Sequence, residues 1–196
     1  MSEDGKNIIA MIQQLRTLFE QISLLLTTAD TLMAKDGWKP AAGSLCCAGI
    51  SYALHLPRYW LPQDLFRFYK RDDRKHILTF VSVLLPGVDD ATNIEEPLLT
   101  AGWFDYGAGQ EVGDNWEYSY ARWHLRMPEG AADGKLRSAE SEKWQRGNPL
   151  LRRVSTLGRP LMDISDAGEL GKAIIDPLLQ GITLERAEGQ RRDTIE

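Results

Sequence analysis

The chain has 196 residues, of which 43% are hydrophobic and 26% charged, the balance of an ordinary globular protein. A chain of this length buries roughly 70% of its unfolded surface on folding, so it needs neither a disulfide framework nor a structural metal. Collagen-like, coiled-coil-only and wholly disordered chains are excluded, and a formal net charge of −5 argues against a nucleic-acid partner.

The chain begins with two acids and one lysine between Met1 and Lys6, which is not the basic start of a secretory leader. A helical stripe follows. Ile8, Ile12, Leu15, Phe19, Ile22, Leu26, Ala29 and Met33 are spaced alternately by four and three residues, giving four heptads. Met11, Leu18, Leu25 and Leu32 widen the stripe beyond a two-stranded seam. The opposite face carries Gln13, Arg16, Thr17, Glu20 and Thr27. Gly37 ends the helix, with Lys35 near its negative pole. The stripe fits a helix lying on its own core, or a seam through which two copies self-associate.

The small apolar stretch Ala41 to Leu56 is compatible with a second helix, broken by Pro57 and Pro62. It contains Cys46 and Cys47, the two cysteines of the chain. Neighbours in sequence make a strained disulfide, so both are read as reduced thiols buried in apolar surroundings, which points to a cytoplasmic location. From Asp64 the texture turns to β. Asp64–Arg71, a polar turn at Asp72 to Arg74, and His76–Leu85 read as a hairpin. The second strand is apolar on both faces and belongs centrally in a sheet. Pro86–Pro97 reads as a loop and Leu98–Tyr106 as a third strand. The glycines between 107 and 115 suit a turn.

Trp116–Met127 is the cleanest period-2 segment. Ser119, Ala121, Trp123, Leu125 and Met127 share its core face, and Tyr118, Tyr120, Arg122, His124 and Arg126 share the other. Tyrosines offer stacking faces and arginines grip anions, so these five residues are the candidate ligand site, for a small anion or an acidic peptide. A short helix is expected at Ser138–Gln145, and Leu150–Leu157 as a strand or extended segment. A C-terminal helix is expected from Asp166 to Gln180. Asp166 and Glu169 form its capping box, and Pro177 is expected to kink or divide it. Residues 1–184 read as a single domain and 185–196 as a polar, frayed tail.

Residues 86–120 carry eight acids and no lysine or arginine, including Asp89, Asp90, Glu95 and Glu96. Clustered carboxylates suit hard cations, but these lack the spacing of a calcium loop, so no metal or cofactor is assigned. Motifs for nucleotide loops, nucleophile elbows and zinc proteases are absent. His55 suits a hydrogen-bonded structural role, and His76 a surface one. No run of about 18 apolar residues occurs, which argues against a membrane span.

The expected fold is α+β: a long N-terminal helix, a central antiparallel sheet of about four or five strands, and a C-terminal helix packed on the sheet. The expected function is an intracellular binding or protein-interaction protein without evident catalytic machinery. The alternative is a hydrolase or nucleotide-handling enzyme using His124 as acid or base, with Arg122 and Arg126 holding an anion.

Overall fold

The computed structural model describes residues 2–41, 43–47, 53–55, 60–62, 64–86, 96–107, 109–110, 112, 132–140 and 151–192, with backbone alone for 140 and 185–192. Helix α1 spans Glu3–Lys35. The Ser2 side chain caps it by accepting from Gly5 N–H, and Glu3 and Asp4 complement the positive end of the dipole. At the other end Gly37 adopts φ +79°, a left-handed conformation that glycine reaches without a Cβ penalty. Gly37 N–H then donates to Ala34 and Trp38 N–H to Met33, the two bonds of a Schellman ending. Trp38 and Met33 are both buried in the same cluster, the apolar contact that accompanies this motif.

The helix end delivers the chain to β1 (Lys39–Pro40), which pairs with the far end of β2 (Asp64–Lys70). Then follow β3 (Ile77–Leu84), β4 (Leu98–Asp105), β5 (Arg137–Glu140) and β6 (Arg153–Pro160). They form one six-stranded antiparallel sheet in the order β1-β2-β3-β4-β6-β5. The α+β class is as expected, with a strand count slightly higher. The predicted hairpin is β2–β3, and β3 is buried along its whole length, as its two apolar faces require.

Side-chain alternation divides the core between the two faces of the sheet. Leu65, Tyr69, Val81, Val83, Leu99, Ala101, Trp103 and Leu157 join the helices in one cluster. Phe66, Phe68, Phe80 and Phe104 belong to a second, where Phe66–Phe68 and Phe80–Phe104 ring centroids are 4.9 and 5.2 Å apart.

Two expected helices are corrected. Residues 43–47 are not helical: Cys47 bridges to Leu65, and Cys46 accepts from Phe66 N–H, so this apolar stretch pairs with β2 instead. The polar segment starting at Ser138 begins as strand β5, because Arg137–Glu140 finds the edge of β6 and satisfies its backbone there. The fourth strand expected at Trp116–Met127 lies outside the described residues, and β4 pairs directly with β6.

After β6 a 3-10 turn (Leu161–Asp163) leads to α2 (Ala167–Leu170), a π-helical stretch (Gly171–Ile175) and α3 (Asp176–Arg192). Asp166 caps α2 by accepting from Gly168 and Glu169 N–H. Glu169 reaches back one residue further than expected, accepting from the N–H and hydroxyl of Ser165. The widened turn sits just ahead of Pro177, whose ring would clash with the carbonyl four residues back and whose missing N–H frees that carbonyl. The helix continues beyond Gln180, with Leu178 and Ile182 buried.

Gly102 in β4 sits at a close approach of two strands. A Cβ there would collide with the Ser155 carbonyl oxygen on β6 and lie 2.8 Å from the Phe80 ring. Backbone in a paired strand cannot give way. Gly102→Ala is therefore expected to cost about 3 kcal/mol, at the upper end of overpacking penalties. Urea unfolding measures this, and an unchanged midpoint would contradict it.

Candidate functional site

The five strand-face residues singled out from sequence, Tyr118, Tyr120, Arg122, His124 and Arg126, lie outside the described residues. So do Asp89, Asp90 and Glu95 of the acidic run. Among the described residues no group of three or more His, Cys, Asp or Glu is placed to hold a metal. No helix among them is long and apolar enough to cross a membrane. His55 is exposed, and His76 is half-buried just ahead of β3.

Two features stand out instead, both involving α1. The first is a partly buried ion pair. Alternation along β2 points Leu65, Arg67 and Tyr69 at the helix. Arg67 meets Asp30 in a two-point grip, Nε to Oδ1 at 3.0 Å and Nη2 to Oδ2 at 2.8 Å. Its Nη1 donates to the carbonyls of Gly43 and Leu45, which fastens the 43–47 loop over the pair. The Arg67 side chain is 9% exposed and that of Asp30 27%. Four hydrogen bonds offset the desolvation of the guanidinium, and removing either partner would leave the other's charge uncompensated. Sequence inspection missed this pair. The signal is visible in hindsight as an arginine on the core face of an aromatic strand and an aspartate beside the helix stripe.

Beside this pair the Tyr69 ring is fully buried. Burial, reinforced by the Asp30 charge, pushes its pKa far above the usual value for a tyrosine. Its hydroxyl makes no hydrogen bond of acceptable geometry among the described residues. Cys46 and Cys47 are free and half-buried. Burial and the neighbouring Cys46 raise the Cys47 pKa, which holds it as a thiol and disfavours a nucleophilic role. The cluster is thus built to clamp α1 and the loop to the sheet.

The second feature is the half of α1 that the sheet does not cover. Ile22, Leu26, Ala29 and Met33 are buried, whereas Ile8, Met11, Ile12 and Leu15 continue the same stripe with exposures of 53, 55, 45 and 38%. Packing stops near Leu18 and Phe19, which are half-buried against the core. The overhang is uncharged from Asn7 through Leu15. Between Gly5 and Ala34 the charged residues are Lys6, Arg16, Glu20 and Asp30. At 3.6 residues per turn these fall within about a third of the helix circumference. Alongside the seated half, α1 and the 161–170 segment flank a groove of about 490 Å³. Leu18, Leu24 and Leu25 line one wall, and Met162, Ile164 and Leu170 the other. Leu24 and Met162 are 69 and 81% exposed.

No family model, curated protein or solved structure matches the chain.

The buried tyrosine gives a pH signature. The folded chain holds the Tyr69 proton more tightly than the unfolded chain, where it titrates near pH 10.0. The stability linked to it is intact below that pH and declines as pH rises further. Tyr69→Phe is expected to change stability at pH 7 by less than about 1 kcal/mol, since the lost hydroxyl has no good partner. It should also flatten the decline between pH 10 and 11.5. Parallel wild-type and mutant slopes in denaturant titrations over that range would refute the assignment.

Proposed function

We propose that this chain is a protein-interaction protein that self-associates through the overhanging half of α1. The observation that carries the reading is the continuity of the stripe: four side chains that complete the core pattern remain wet once the core is closed. Scattered exposed apolar residues are normal, but a contiguous apolar strip on a regular element marks an interaction surface.

The chemistry of the overhang supports a second protein surface over other partners. Lys6 and Arg16 are its only basic residues, too few for a helix that lies on an anionic membrane or tracks a polyanion. An uncharged strip is self-compatible, since two copies meet without like-charge repulsion. Burying the half-exposed Ile8, Met11, Ile12 and Leu15 offers about 1 kcal/mol each, or about 8 kcal/mol for two copies. That gain is of the same order as the cost of association, about 4–15 kcal/mol, so the resulting complex is concentration-dependent.

Sedimentation velocity tests this. Wild type at tens of micromolar is expected to be a dimer, and Ile8→Glu with Ile12→Glu a monomer. Because both positions are exposed, the variant's melting temperature, taken at concentrations where wild type is monomeric, should match wild type. A monomeric wild type at that concentration, or an unchanged dimer in the variant, would end the proposal.

A further inference from the structure

We propose that Cys46 and Cys47 form a two-thiol site for a trivalent arsenic centre that carries one organic substituent. The proposal does not depend on self-association and concerns the loop that Arg67 fastens.

The pair is reachable and already held in place. Both thiols are free and half-buried, and the preceding Gly43, Ser44 and Leu45 are exposed, so solvent reaches this end of the loop. The two side chains lie within hydrogen-bonding reach of each other. The backbone that carries them is tied to β2. The Cys46 carbonyl accepts from Phe66 N–H at 2.7 Å, and Cys47 bridges to Leu65. Arg67 holds the carbonyls of Gly43 and Leu45 just ahead of them. A centre that engages both sulfurs therefore orders little that the fold has not ordered already.

The chemistry of the pair selects its ligand. Adjacent cysteines make a strained disulfide. Zinc takes four ligands, and among the described residues no group of three or more His, Cys, Asp or Glu is placed to supply them. A soft centre satisfied by two sulfurs fits instead.

Charge decides which soft centre. Two thiolates on a monovalent cation leave a net negative charge, and the surroundings oppose it. Burial favours the neutral thiol at Cys47, and the Arg67 guanidinium near Cys46 is already paired with Asp30. An organoarsenic(III) oxide gives a neutral product. Two As–S bonds form, and the oxide oxygen leaves as water with the two S–H protons. Arsenic stays trivalent, so no oxidant or reductant takes part, and neither sulfur has to persist as a thiolate.

Phenylarsine oxide is the probe. Native mass spectrometry is expected to show one adduct per chain, formed with loss of one water. It should survive excess glutathione, a monothiol, and be removed by dithiothreitol, a dithiol. Cys46→Ser and Cys47→Ser are each expected to weaken capture about a hundredfold, because the second contact is then no longer intramolecular. Cys46 packs against the helix-side core, so Cys47→Ser is the variant less exposed to folding defects, and melting temperature checks both. Because the fold holds the two sulfurs together, the adduct should also raise the melting temperature of wild type. No adduct in wild type, an adduct as tight in Cys47→Ser as in wild type, or a melting temperature that falls or stays unchanged on binding would each overturn the proposal.

Discussion

The structure depends on the seating of one half of α1 on one face of the sheet. Ile22, Leu26, Ala29 and Met33 sit against β2 and β3 in a single apolar cluster that also takes in β4 residues. Fully burying a large aliphatic side chain contributes about 1.5–3 kcal/mol, so this contact is a large part of what holds helix and sheet together. The Asp30–Arg67 pair then fixes the helix along its axis, and the Schellman ending with buried Trp38 fixes where it stops. With its C-terminal half held at these places, the N-terminal half has a defined direction.

That direction sets where the uncovered half of the apolar stripe lies, the surface proposed for interaction. The same heptad pattern closes an intramolecular core from Ile22 onward and leaves an exposed apolar strip before Leu18. The sheet ends before the stripe does. Anything that covers the strip must match an uncharged helix face about two turns long. The proposed self-association would draw on the same helix that closes the core.

Much of this fold was legible in the sequence because its signals are local. The 4-3 spacing marked α1, the polar turn at Asp72 to Arg74 marked the β2–β3 hairpin, and the two-sided apolar run marked β3 as central. Asp166 was recognisable as a cap, and Pro177 as a disturbance, although the capping glutamate reaches Ser165 rather than Asp166. The misreadings share a cause. Residues 43–47 and the segment from Ser138 have compositions compatible with a helix, and what decides their state is a neighbouring strand distant in sequence. The Asp30–Arg67 pair joins residues 37 apart, a separation that no local pattern records. For the site, the sequence carried both the stripe and its two possible uses. Where the sheet stops along the helix was not legible, because that follows from sheet width and strand register. The groove depends on the turn after β6 packing beside α1, and it too left no mark in the sequence.

The central claim is that the overhang of α1 is covered by a second copy of the chain. Amide hydrogen exchange read by mass spectrometry over a range of protein concentrations tests it most directly, since exposed helical amides exchange quickly and covered ones slowly. The account predicts that protection of peptides covering residues 3–18 rises with concentration while the amides of β3 and β4 stay unchanged. Fast exchange of that segment at every concentration would contradict it.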